Sequence, residues 1–235
     1  MKNTWKELLA WSALLSVFFA LVGFTLVQRA EERCTAVVYH IDENDGNFFV
    51  SKDDLQHKLA TVHERIEGER TDNLKIKAME EAVKSLSEVK DAQVYLTIDG
   101  KLNVVVSQRR PIVRVIPKRG SGYYIDEEGK FMPLSKNYAA KVLVVNGEFT
   151  QRFLNLSMAQ LAVNDSVREL TLFDEIYTLA SFIDKDSLWK AQIQHAYVDE
   201  NEEFTLFPRV GNHNIGLGNT TELESKFRKL LIFYM

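Results

Sequence analysis

The sequence predicts an α+β protein: one N-terminal transmembrane helix, a β-α-α-β-β domain, and a second, β-rich α+β domain. Three observations carry that reading. The first twenty-seven residues contain an unbroken apolar run. After it, apolar residues alternate between helical spacing and period two. A proline then stands between two strand-like segments, at Pro111. With 235 residues, 46% apolar and 26% charged, the chain can pack a core in one large or two small domains. A net charge of -4 gives no general basic character, so no nucleic-acid partner is expected. A single cysteine, Cys34, excludes an internal disulfide framework and any Cys-cluster metal site.

LLAWSALLSVFFALVGFTLV, from Leu8 to Val27, holds no ionisable side chain. Twenty residues make a helix of roughly 30 Å, the depth of a bilayer hydrocarbon core. Trp5 and Trp11 stand near its first end, where interfacial aromatics collect. The run is longer than a signal-peptide core and is followed by QRAEER, which favours an uncleaved anchor over residues 8–28. Residues 1–7 form a cytoplasmic tail too short to fold. Lys and Arg nearly tie across the two flanks, and the N-inside orientation follows from the long C-terminal part, which translocates regardless of charge. The bulk of the chain is then extracytoplasmic, and one unpaired cysteine suits that compartment.

The first domain spans residues 33–110. Thr35 to Ile41 reads as a strand. Ser51 and Asp54 form an acidic capping box that opens a helix, with Leu55, Leu59, Val62 and Ile66 on one face. A second helix runs from about Leu74 to Leu86, on Ile76, Met79, Val83 and Leu86. Ala92, Val94, Leu96 and Ile98 alternate as a half-buried strand, Asp99-Gly100 signals a hairpin, and Leu102, Val104 and Val106 point inward on the return, with Lys101, Asn103 and Ser107 outward. Two helices with one apolar face each can cover one side of this three-stranded sheet.

Residues 111–235 form the second domain. Pro111 donates no backbone hydrogen bond, so the chain stays extended there while changing neighbours. Ile112 to Ile116 begins new pairings. Tyr123 to Ile125, a turn at Asp126–Gly129, and Lys130 to Leu134 make a hairpin, and Lys141 to Val145 is a further strand. Val167 to Ile183 reads as a helix; Ile193–Val198, Phe204–Phe207 and Ile215–Leu217 as strands; Thr221 to Leu231 as a last helix, capped by Thr220 or Thr221 with Glu224.

Chemical motifs are weak. His57 and His63 lie six apart in a charged helix, poor spacing for one metal, and His195 and His213 stand alone. RGSGYY lacks the pattern of a nucleophile elbow and reads as a plain turn. GLGNTT has no P-loop lysine. The pairs Glu127-Glu128 and Glu202-Glu203 fall in turns, where carboxylates are usually solvated. Asn155, Asn164 and Asn219 begin glycosylation triplets that matter only in a host that uses them. No catalytic, cofactor or metal residue emerges. The strongest residual signal is cationic: Arg109, Arg110, Arg114, Lys118 and Arg119. It reads either as an exposed sheet edge kept soluble by charge or as a docking surface for an acidic partner, an anionic polymer or lipid.

Together these segments resemble the bacterial cell-division family FtsQ/DivIB. A short tail and single anchor precede a strand-helix-helix-strand-strand unit that resembles a POTRA domain. LNVVVSQRRPIVRVI is similar to the family's strand ending in a polar residue, Arg and Pro; YYIDEEGKFMPL to its hairpin, with Asp126 and Gly129 at the turn; FTLFPRVGNHNIGLG followed by SKFRKLLIFY to its later strand pair and Lys-bearing helix. The resemblance implies a non-enzymatic scaffold in the inner membrane at the septum. It implies partners of the FtsL and FtsB/DivIC kind, anchored coiled-coil proteins, and through them the septal peptidoglycan synthase complex, with no cofactor or small-molecule substrate. It also implies a partner strand added to an edge of the second domain near its last strand. On that basis Phe204, Leu206, Ile215, Leu217, Gly218 and Lys226 join Arg109, Arg110 and Arg114 as candidate partner-binding residues. The family continues with at least one more strand, so a continuation beyond Met235 is expected, and the strand around Ile215 to Leu217 or a neighbour is expected to lie open without it. Two other classes compete: a POTRA-type chaperone module for secretion or outer-membrane assembly, and a membrane-anchored cell-wall enzyme. A chaperone of that kind usually carries several such units and a barrel, and no series of about ten-residue barrel strands follows here.

Overall fold

The computed structural model describes residues 11–20, 32–42, 46, 48–135, 138–150 and 172–234. Residues 11–20 are an exposed helix, α1; the rest of the expected anchor lies outside the described residues. Among the described residues no helix is long and apolar enough to cross a membrane. The chain divides into two units. One holds Ser51–Leu86, Asp91–Ser107 and the first strand; the other holds Glu43–Val50, Ser87–Lys90 and everything from Gln108 on.

The first unit is built on β1 (Ala36–Asp42), α2 (Lys52–Ala60), α3 (Ile76–Lys84), β2 (Val89–Leu96) and β3 (Lys101–Gln108), in sheet order β1-β3-β2. β1 runs parallel to β3, with Tyr39 opposite Val104. Leu55, Leu59, Met79, Val83, Leu102, Val104 and Val106 are all fully buried, so both helices lay their apolar stripe on the sheet. The capping box at Ser51 forms as read: the Asp54 N–H donates to Ser51 Oγ at 3.2 Å, and the Ser51 N–H to Asp54 Oδ2 at 2.9 Å.

Three expectations for this unit need correction. α2 stops at Ala60 although apolar spacing continues to Ile66, leaving His63 beyond the helix. The Thr61 hydroxyl donates to the Lys58 carbonyl at 2.6 Å, a local bond that competes with continuation. Ile98 is 98% exposed, because it stands in the Asp99-Gly100 turn rather than on the strand. Asn103 is buried, and its amide donates to the Lys101 carbonyl at 3.4 Å.

The second unit contains β4 (Pro111–Arg119), β5 (Tyr123–Asp126), β6 (Phe131–Pro133), β7 (Leu143–Thr150), α4 (Leu172–Lys185), α5 (Ser187–Gln192), β8 (Ile193–Val198), β9 (Phe204–Pro208), β10 (Ile215–Gly218) and α6 (Leu223–Tyr234). Its sheet has the order β10-β9-β8-β7-β4-β5-β6. The centre, β4 with β7 and β7 with β8, is parallel, and antiparallel strands flank it on both sides. Ile176, Leu179, Ala180 and Ile183 of α4, Trp189 of α5 and Phe227 of α6 pack on one face over Val113, Val115, Val145, Ala196 and Leu206. Against the other face lies a smaller cluster of Phe49, Tyr124 and Met132.

β4 starts at Pro111, the first position of a strand, where the missing N–H is tolerated. It lies between β7 and β5, so the reading of this segment as an exposed sheet edge is overturned. α5 was not anticipated. Asp186 ends the run of α4 and caps the next helix, its carboxylate accepting from the N–H groups of Leu188 at 2.9 Å and Trp189 at 3.2 Å. At α6 the expected threonine cap is replaced: Asn219 Oδ1 accepts from the Thr221 N–H and hydroxyl, and the helix starts only at Leu223.

Candidate functional site

The cationic cluster is largely neutralised inside the second unit. Arg109 Nη1 donates to Asp126 Oδ2 at 2.8 Å, with Arg109 13% and Asp126 1% exposed. The other oxygen of Asp126 accepts from the N–H groups of Glu128 and Lys130 and so fixes the β5–β6 turn. Gly129 takes φ +77° in that turn, a value glycine adopts without steric cost. Arg110 forks onto Asp184 of α4, Nη1 to Oδ1 at 3.1 Å and Nη2 to Oδ2 at 2.7 Å, and its Nε reaches Glu127 at 3.0 Å. Glu127 and Glu128 stand exposed in a turn, as read, and both carboxylates pair with Lys90. Lys90, ahead of Arg110, holds Glu127 below the usual carboxylate range. Burial pushes Asp184 upward, but Arg110 and Lys190 together outweigh it and leave its pKa lowered. Arg114 is partly buried on β4, and its Nε has no hydrogen-bond partner among the described residues. Lys118 pairs with Glu148.

The other candidates gather at the opposite end of the sheet. Phe204 and Leu206 of β9 point into the core and are fully buried, so their side chains hold the strand from behind. β10 pairs with β9, Ile215 opposite Leu206 and Gly218 opposite Phe204, with a bulge between Gly216 and Gly218. Leu217 is buried, Ile215 half-buried and Gly216 exposed. A side chain at Gly216 would meet nothing within 4 Å. Among the described residues no strand lies beyond β10. Lys226 Nζ donates to the Asn219 carbonyl at 2.9 Å and to Asn219 Oδ1 at 3.0 Å, exposed bonds that brace the loop into α6.

Four residues near this edge are not among the sequence's partner-binding candidates: His213, Val210, Ile232 and Phe233. His213, in the loop before β10, bonds Tyr234 of α6, Nε2 to hydroxyl at 2.8 Å, and lies 5.5 Å from the Phe233 ring. Ile232 and Phe233 in the last turn of α6 are 70% and 69% exposed, and Val210 is 66% exposed. The signal was present in SKFRKLLIFY: five apolar residues in succession exceed what one buried helix face requires. Among the described residues the arrangement has no convergent acid, base or nucleophile. What it offers is a strand edge beside an apolar helix end, which suits backbone and apolar contact with another polypeptide.

A family model described as FtsQ/DivIB, C-terminal related, matches residues 110–235, more than half of the chain. The chain belongs to the FtsQ/DivIB family. A model for the POTRA-like domain matches residues 32–107 of this FtsQ/DivIB protein. No curated protein matches the chain. Both matched families are scaffold types, and cell division is the setting that the FtsQ/DivIB match supports. The mixed α+β architecture, a POTRA-like domain followed by a β-rich domain, stands on the same two matches and the sheets described above.

Proposed function

We propose that this FtsQ/DivIB protein is a bitopic divisome scaffold. Residues 8–28 span the inner membrane, residues 1–7 remain in the cytoplasm, and the domains at 33–110 and 111–235 work outside it, at the septum. The second domain takes a strand from an FtsL-like or FtsB/DivIC-like partner on the β10 side of its sheet, and so supports septal peptidoglycan synthesis without performing chemistry. The observation that carries this reading is the coincidence, in the matched C-terminal region, of an edge strand with the exposed Ile232 and Phe233. Backbone pairing along β10 would supply affinity, and the apolar helix end would supply choice of partner.

Depletion of the protein is expected to give filamentous cells with unfinished septa. An Ile232→Asp, Phe233→Asp variant should fold, fail to recover small anchored division proteins on pull-down, and fail to restore division. Normal division after depletion, or full complementation by that variant, would overturn the proposal.

A further inference from the structure

A cavity of about 640 Å³ opens in the second unit where β4, β7 and β8 begin. Its size falls in the range of small-molecule sites, about 300–1,000 Å³. The floor is apolar: Ile112, Leu143, Ile183 and Ile193 are all buried core side chains that also line it. Three cations from different parts of the chain share the lining: Lys141 before β7, Lys190 on α5 and Arg209 after β9.

Asp184 is the one carboxylate among the lining residues. Its charge is already spent, because Arg110 forks onto both oxygens and Lys190 Nζ stands 2.8 Å from Oδ1. Among the described residues that leaves Lys141 and Arg209 with no carboxylate in the cavity to answer them. The Arg209 backbone N–H donates to the Gln192 carbonyl at 2.6 Å, and with the Gln194 amide oriented oxygen-first its Nε and Nη2 donate to that oxygen. His195 adds no competing charge. Its Nε2 is 2.7 Å from Asn146 Oδ1, and burial lowers its pKa, so the ring is neutral at pH 7.

We propose that this cavity binds a small organic carboxylate, with its anionic head against Lys141 and Arg209 and its apolar body on the isoleucine floor. Among the described residues a cationic ligand has no unsatisfied anion to meet, and a neutral apolar one would gain nothing from the two cations. The same chemistry could come from a free carboxylic acid or from the C-terminus of a peptide. The site lies on elements other than β10 and does not depend on the partner-strand reading.

The test uses the full-length protein in nanodiscs, with isoleucine methyl groups labelled for NMR. Probes are hexanoate, hexylammonium, acetyl-dialanine and acetyl-dialanine amide. Hexanoate or acetyl-dialanine should shift the Ile112, Ile183 and Ile193 methyl signals saturably; the millimolar range is what ligands of so few atoms reach. Whichever carboxylate binds more tightly identifies the source. Hexylammonium and the amide should bind far more weakly. Lys141→Glu with Arg209→Glu removes two charge-assisted contacts and should weaken binding by well over the roughly tenfold that the loss of one alone would give. Both residues are exposed, so the remaining methyl spectrum should be unchanged. Absence of saturable shifts with both carboxylates, equal binding of hexylammonium, or unaltered affinity in the charge-reversed variant would each overturn the proposal.

Discussion

The two ends of the seven-stranded sheet are finished in opposite ways. At the β6 end the last strand has three residues, ends in Pro133, and is tied back by Asp126, which serves the turn with one oxygen and Arg109 with the other. Met132 is fully buried, and the Tyr124 hydroxyl accepts from the Ala140 N–H at 3.2 Å. A short, proline-bearing outer strand deters further pairing. β10 itself carries no proline, and among the described residues no buried charge pair fastens it. A glycine bulge, the polar brace of Lys226 on Asn219, and one histidine–tyrosine bond hold the margin, beside uncovered Ile232 and Phe233. One end is closed by a buried charge pair, whereas the other leaves a strand edge and apolar side chains exposed among the described residues.

The largest test of that contrast is Arg109→Ala. It strands the buried Asp126 carboxylate and should cost about 3–5 kcal/mol in urea unfolding. A loss below about 1 kcal/mol, the worth of an exposed pair, would show that the β6 end is not fastened in this way. Phe233→Asp comes next. It should weaken partner binding by about 2 kcal/mol, the scale of an interface anchor, while the urea midpoint stays within error of the parent. Equal losses at both ends would erase the distinction.

Acid should discriminate the ends as well. Glu127, Glu128 and Asp184 are all held below their ordinary values, and Lys90 is the first cause for both glutamates. A lowered native pKa means stability that is present above the ordinary carboxylate value of about 4 and is lost as pH falls through the native one. Unfolding followed by a probe near the β6 end should therefore show falling stability below that pH, and an Arg110→Ala, Lys90→Ala variant should lose much of the slope. A midpoint independent of pH across this window would contradict the ion-pair account. The smallest effect is expected from Lys226→Ala, about 1 kcal/mol or less for exposed hydrogen bonds to Asn219. A collapse of the fold in that variant would show the β10 margin to be far less loosely held.

Much of this architecture was legible because burial imposes simple periods. Leu102, Val104 and Val106 alternate on one strand, and Ile176, Leu179 and Ile183 repeat around one helix, because each element meets its core on a single side. Pro111 marked the change of sheet because it lacks a donor. Partners distant in sequence were not legible. Nothing near Arg110 indicates that Asp184, across 74 residues, receives it, nor that β4 is an inner strand. Local bonds also escaped notice: Thr61 halting α2, Asp186 starting α5 and Asn219 displacing the threonine cap are side-chain choices that compete with propensity at helix ends. Of the candidate interface, the strands were readable and the role of Lys226 was not, since a lysine on a helix looks equally ready for solvent, a partner or a neighbouring carbonyl.

The most direct measurement is photocrosslinking in dividing cells. A photoreactive phenylalanine analogue is placed at Gly216 on β10, where a side chain meets nothing, and in a parallel strain at Lys130 beside β6. The account predicts an adduct with a small single-span division protein from position 216 and none from position 130. An adduct from 130 alone, or no adduct from 216 in a strain that divides normally, would contradict it.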